Sequence, residues 1–197
     1  MTKIVEFYFD VGSPTAYLAY NRLKQLQKQY NCVIDYRPVL LGGLFKASGN
    51  SSPVMVPAKG RYMMMDDLPR FAKLYDVPLN NNPYFPINTL NLMRGAVAAL
   101  HGDYFDTYIS AVFNAIWVDS KNMGDMETVI EVLSTAGLNA PSILESTQDA
   151  DIKAKLITNT EDAVKRGLFG APTMFVDGEM FFGQDRLQFV EMALQTK

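Results

Sequence analysis

The chain has 197 residues, 48% hydrophobic and 20% charged, and a formal net charge of -3. That length and composition suit one well-buried domain, or a domain with a sizeable insertion, and exclude a disordered chain. The slight acidity and the absence of a basic cluster argue against nucleic-acid or anionic-membrane partners, while a single cysteine, Cys32, and a single histidine, His101, leave no material within one chain for a disulfide, a structural zinc site or a thiol relay.

The apolar run Ile4–Phe9 reads as a buried strand. It stops at Asp10, a short turn follows, and Pro14 opens an amphipathic helix predicted to end near Tyr30. Because Glu6 interrupts so short a run and no small-residue cleavage site follows, a secretory signal is not expected. No segment approaches the roughly 18 apolar residues of a membrane span. A cytoplasmic protein is therefore expected.

CVIDYRPVLL reads as a second strand, with Pro38 marking an edge or a strand end and Cys32 a core thiol. Strand, helix and strand with short links predict a right-handed βαβ unit. Residues 42–57, rich in Gly, Ser and Pro, read as a long loop. A helical middle is predicted over residues 61–75, 89–101, 104–117, 126–136, 140–148 and 151–166, with NNNPYFPIN as a proline-rich turn. His101, at one helix end, reads as a partner for terminal carbonyls.

Near the C-terminus, Asp177-Gly178 between two apolar runs predicts a hairpin of strands Thr173–Val176 and Glu179–Phe182, closed by a helix over residues 185–194. The outline is βαβ, a long helical insertion, then ββα. Residues 1–45 and 165–197 form one expected unit, and residues 46–164 the inserted helical one.

Ser13-Pro14 is a favoured cap and first-turn pair. The same helix terminus, with unpaired N–H groups and a positive dipole end, favours an anion. A hydroxyl there can donate to such an anion, a thiolate included. A covalent serine nucleophile needs an adjacent base, and neither a G-x-S-x-G context nor a neighbouring histidine is present. Pro172 stands where a strand begins, a position that tolerates proline. Asp185 reads as a helix cap or as a carboxylate for a ligand amine. Lys59 and Arg61 read as a solvated helix start, and Met63 to Met65 as packing. Asp66 and Asp67 lack further carboxylates at metal spacing, so no metal is expected.

Five segments in order, FYFDVGSPTAYLA, FKASGN, KGRYMMMDD, GLFGAPTMFVDG and FFGQDRL, together resemble the 2-hydroxychromene-2-carboxylate isomerases and their relatives, the kappa-class glutathione transferases. The resemblance covers essentially the whole chain. It implies an α/β thioredoxin-like fold of the DsbA type with an inserted helical domain. In that group a serine replaces the first cysteine of C-x-x-C; here Ser13-Pro14-Thr15-Ala16 carries no sulfur, which excludes disulfide exchange.

The resemblance further implies a glutathione site. Ser13 would donate to the cofactor's thiolate, with Pro14 and Thr15 completing the turn. Asn50 would contact the tripeptide, and Lys59 its glycine carboxylate. Ala171, before the family's cis-proline Pro172, would pair with the cysteinyl backbone. Gln184 and Asp185 would hold the γ-glutamyl end. Thr15 stands where an aromatic residue is common, and Gln184 where the transferases often have serine.

The expected activity is cis–trans isomerisation of a small aromatic substrate in aromatic-compound breakdown. Conjugation to glutathione and redox-inactive peptide capture are the alternatives. Phe45, Tyr84, Phe85 and Trp117 are candidates for the apolar wall of the substrate pocket, expected between sheet and insertion. The resemblance also implies a homodimer.

Overall fold

The computed structural model describes residues 2–196. Among them, β1 (Ile4–Phe9), α1 (Pro14–Tyr30), β2 (Val33–Pro38) and the hairpin β3 (Thr173–Val176) and β4 (Glu179–Phe182) follow the expected order. The four strands form one mixed sheet ordered β2-β1-β3-β4. β1 runs parallel to β2 from Ile4↔Val33 to Phe9↔Pro38, and antiparallel to β3 from Val5↔Val176 to Tyr8↔Thr173. β2 is thus an edge strand, and Pro38 ends it without interrupting a central ladder.

Period-two alternation in β1 divides its side chains between two faces. Val5, Phe7 and Phe9 are fully buried among residues of α1 and of the later helices, including Leu18, Leu23, Phe113 and Val190. Tyr8 joins Phe175, Leu44, Ala163 and Leu168 in a smaller cluster. Each such aromatic or aliphatic burial contributes about 1.5–3 kcal/mol relative to exposure. The guanidinium of Arg166 lies 3.9 Å from the Phe175 ring centroid and binds Glu6, covering this second cluster.

The middle of the chain supplies α2 (Leu41–Ser48), α3 (Pro57–Tyr62), α4 (Leu68–Tyr75), α5 (Leu90–His101), α6 (Phe105–Trp117), α7 (Met126–Thr135), α8 (Ala140–Ser146) and α9 (Ala150–Lys165), and α10 (Leu187–Gln195) closes the chain. Sheet and middle helices share one continuous apolar core, in which Phe9, Tyr17 and Tyr20 of the sheet side meet Phe113 of α6 at ring-centroid distances of 5.1–6.1 Å.

Three local expectations are corrected. The first part of the expected loop is helical: Leu41, Leu44 and Phe45 share a face, Leu44 is fully buried, and Gly49 ends α2 in the left-handed region at φ 71°. The residue 45/46 boundary falls inside this helix. The predicted helix over residues 61–75 starts earlier, at Pro57, and passes through a π-helical stretch, Met63–Asp67. Asp185 does not cap the last helix; it lies within a 3-10 turn, Gln184–Arg186, and pairs with Arg186. The hairpin turn has positive φ at both Asp177 (50°) and Gly178 (86°), the combination that matches the strands' own twist.

Candidate functional site

The site begins where β1 hands over to α1. Ser13 adopts an extended backbone conformation (φ -94°, ψ 115°) and its Oγ accepts from the Ala16 N–H at 3.1 Å, with Pro14 in the first turn. The same Oγ donates to the Ala171 carbonyl at 3.1 Å and lies 2.8 Å from Thr15 Oγ1. Ser13 is buried, 3% exposed. Residues 158 positions apart thereby meet at one hydroxyl.

Asp10 holds this corner in place. Its Oδ1 accepts from the Gly12 N–H and its Oδ2 from the Leu41 N–H, each at 2.9 Å, and Thr89 adds a side-chain hydrogen bond. One carboxylate therefore ties the turn before α1 to the starts of α2 and α5. Burial pushes the Asp10 carboxyl above the usual carboxylate range; the backbone donors and Thr89 pull the other way and offset only part of it. A Cβ at position 12 would come within 2.8 Å of Thr89 Cγ2, so the turn approaches α5 too closely for any larger residue.

The Ala171–Pro172 bond is cis. Gly183 N–H donates to the Pro172 carbonyl at 3.0 Å, which brings the turn after β4 alongside this loop. Tyr75 of α4 donates to the Gln184 carbonyl at 2.6 Å, and burial pushes its phenol up to about 12. Asn50 donates through Nδ2 to the Phe169 carbonyl at 2.9 Å, while its Oδ1 receives the Ser51 N–H at 2.8 Å.

These parts surround a cavity of about 790 Å³. Of the residues expected at a cofactor, Ser13, Pro14, Thr15, Asn50, Ala171, Pro172, Gln184 and Asp185 line it; Lys59 does not, lying exposed on α3. Phe45 and Phe85 of the proposed apolar wall line it as well. Trp117 and Tyr84 do not. Trp117 is fully buried, its indole N–H donating to the Val11 carbonyl at 2.8 Å and its ring 5.6 Å from Phe85, so it supports the wall from behind. Tyr84 is 53% exposed, outside the lining.

Sequence reasoning missed Asp10, Thr89, Phe169, Phe182, Met63 and Asp67, all of which line the cavity. For Asp10 a signal existed: an acid ends a buried strand three residues before a helix cap. No comparable signal marked Phe169 and Phe182, whose rings meet 4.5 Å apart only after folding. Among the described residues no His, Cys, Asp and Glu group could hold a metal ion. None of their helices is long and apolar enough to cross a membrane.

A family model described as a DSBA-like thioredoxin domain matches residues 4–195. The chain belongs to that family. This DsbA-like chain is 34% identical to a 2-hydroxychromene-2-carboxylate isomerase of Sphingobium xenophagum, across 98% of the chain and 99% of the relative. It is 30% identical to the glutathione S-transferase kappa 1 of Rattus norvegicus, across 99% of the chain and 92% of the relative. A solved structure of a 2-hydroxychromene-2-carboxylate isomerase superimposes with a TM-score of 0.87 at 31% identity, covering 97% of this chain and 94% of that one. The resemblance carried by the five motifs thus extends along the whole DsbA-like chain, and so does the thioredoxin-like architecture.

Proposed function

We propose that this DsbA-like chain is a glutathione-dependent cis–trans isomerase of the 2-hydroxychromene-2-carboxylate type, acting on a small substrate in aromatic-compound catabolism. The observation that carries the reading is the meeting of Ser13, the Ala171–Pro172 loop and the Gln184-Asp185 turn on one cavity. Full-length similarity to enzymes of that name supports it.

The residues present fit the tripeptide. A cavity of about 790 Å³ is in the range that holds a ligand of that size. Ser13 and the first turn of α1 would hold the sulfur, the Ala171 backbone the cysteinyl unit, and Asn50 the chain beside it. Gln184 and Asp185 would hold the γ-glutamyl end. Lys59 would turn in from α3 toward the glycine carboxylate. Phe45 and Phe85 would exclude water from the substrate's ring.

When bound, glutathione would supply a thiolate for reversible addition to a conjugated enone, which exchanges the C=C bond for a rotatable single bond and restores it when the thiol leaves, with no net redox change or consumption of the thiol. The protein's task is to keep that sulfur ionised. A thiol of pKa ~8.5 is only about 3% thiolate at pH 7, and at ~6.5 it is roughly three-quarters thiolate, a difference of about 2.7 kcal/mol. A helix N-terminus plus one or two hydrogen bonds to the anion supply that amount.

A second reading, a kappa-like transferase that retains the conjugate, is favoured by the 30% identity to such an enzyme. A spectral assay separates them. Isomerisation that needs glutathione without consuming it supports the first reading, and a stable conjugate the second; no reaction leaves a peptide-capturing module.

The same proposal includes the division into residues 1–45 with 165–197 and an inserted 46–164, a cytoplasmic location, and a homodimer. Light scattering giving a 22.0 kDa particle at micromolar concentration would defeat the dimer.

A further inference from the structure

The hydrogen bonds at Ser13 can be assigned by counting protons. A serine hydroxyl has one hydrogen and two lone pairs. The Ala16 N–H occupies one lone pair, and the hydrogen points to the Ala171 carbonyl, which has nothing to donate. The contact of 2.8 Å with Thr15 Oγ1 is then satisfied in one way only: Thr15 donates to the remaining lone pair of Ser13.

The charges around the cavity make this bond matter. Three carboxylates line it, Asp10, Asp67 and Asp185, and among the described residues in the lining there is no Lys, Arg or His. Asp185 is paired with Arg186, and Asp67 lies 4.0 Å from Arg70; Asp10 accepts only from backbone and hydroxyl groups. Lys59 lies exposed on α3, outside the lining. Neighbouring carboxylates disfavour an anionic sulfur, so its stabilisation falls to the helix terminus and to hydroxyl donors.

We propose that Thr15 is a positioning residue: its hydroxyl donates to Ser13 Oγ and leaves the single Ser13 proton free to turn from the Ala171 carbonyl to a bound thiolate. The inference rests on the glutathione reading above. Binding releases the thiol's proton to solvent, and no other proton leaves the site. The Ala171 carbonyl, once released by Ser13, is available to the N–H of the same cysteinyl unit that brings the sulfur. Two donors on Ser13 Oγ, from Thr15 and Ala16, polarise its O–H and strengthen the bond it gives.

The test titrates the ultraviolet absorbance of enzyme-bound glutathione thiolate in wild type, Thr15→Val and Thr15→Ser, with binding followed by calorimetry. Valine keeps the shape and removes the hydroxyl; serine keeps the hydroxyl. The expected result is a bound-thiol pKa raised by about half to one pH unit in Thr15→Val, with Thr15→Ser titrating as wild type. Should Thr15→Val not fold, Thr15→Ala removes the same hydroxyl with less bulk and is expected to shift in the same direction.

A hydroxyl-free variant that titrates with a depressed wild type overturns the role of Thr15 and leaves the glutathione site standing. Thr15→Ser titrating with the valine variant overturns it too, because packing and not the hydroxyl would be responsible. A wild-type thiol that titrates as in free solution overturns both the inference and the reading beneath it.

Discussion

In one part of the cavity lining, Asp10, Ser13, Thr15 and Ala171 are joined by hydrogen bonds of 2.8–3.1 Å, the Ser13 N–H donating to the Asp10 backbone carbonyl. In another, Phe45, Met55, Met63, Phe85 and Ile87 present side chains with no polar group to fix them. The polar part is drawn from a strand end, a helix cap and the Ala171–Pro172 loop, and each donor has a definite acceptor. The apolar part is drawn from α2, a 3-10 turn at Pro53–Met55, the π-helical stretch and the turn before α5, and two of its members are pliable methionines. Hydrogen-bonded corners fail when one atom changes, whereas apolar contact scales with area and tolerates rearrangement. Under the proposed function, sulfur activation falls to the polar part and substrate selection to the apolar part.

The largest effect is expected from breaking the polar part at its base. Asp10→Asn replaces an acceptor by an N–H group facing a backbone N–H, at Gly12 or at Leu41. It should destabilise the chain by about 2–4 kcal/mol at neutral pH, read from urea denaturation. The pH dependence follows from the raised carboxyl of buried Asp10. Above pH ~3.9 the unfolded chain releases this proton while the folded chain retains it. Wild-type stability therefore falls as pH rises toward the folded-state pKa, and the asparagine variant has no such slope. Its deficit relative to wild type should narrow across that window. A deficit that widens would show Asp10 to be stabilised as an anion.

Phe45→Ala sharpens the comparison from the other side. Phe45 projects from α2 toward Gly170, where a Cβ would sit 3.9 Å from its ring. Losing the ring should raise KM by about tenfold, from ~1.5 kcal/mol of apolar contact. The bound-thiol titration should not move. A shift there, with KM unchanged, would reverse the assignment of the two parts.

The smallest effect is expected at Cys32, which belongs to neither. It is 5% exposed, and burial pushes its thiol up. Cys32→Ala should cost about 1 kcal/mol in denaturation and leave glutathione-dependent turnover intact. Lost turnover would reopen a thiol role.

Periodicity and turn chemistry made most of the fold legible. Ile4–Phe9, Thr173–Val176 and Glu179–Phe182 coincide with the observed strands because apolar runs bounded by Asp10 and by Asp177-Gly178 have few other solutions. α2 escaped because Gly42, Gly43 and Gly49 look like loop residues, while burial of Leu44 decides the conformation. Ser13 was legible as a cap. What it bonds across the fold was not: the Ala171 carbonyl reaches it only through the β1–β3 register. Trp117 was ambiguous for a similar reason, since a large aromatic on a helix packs equally well behind a pocket wall or on it. Only the Val11 carbonyl at its indole N–H settles which.

The central claim is that Ser13 caps α1 and also holds the cofactor's sulfur as an anion. The most direct test is the pH titration of bound glutathione thiolate in wild type and Ser13→Ala. The alanine variant should lose ~0.5–2 kcal/mol of stability with the cap, and its bound thiol should titrate about one to two pH units higher, for loss of a charged hydrogen bond of ~1.5–3 kcal/mol. If the variant folds, binds glutathione and titrates together with wild type, Ser13 is a cap alone, and the thiolate is held elsewhere.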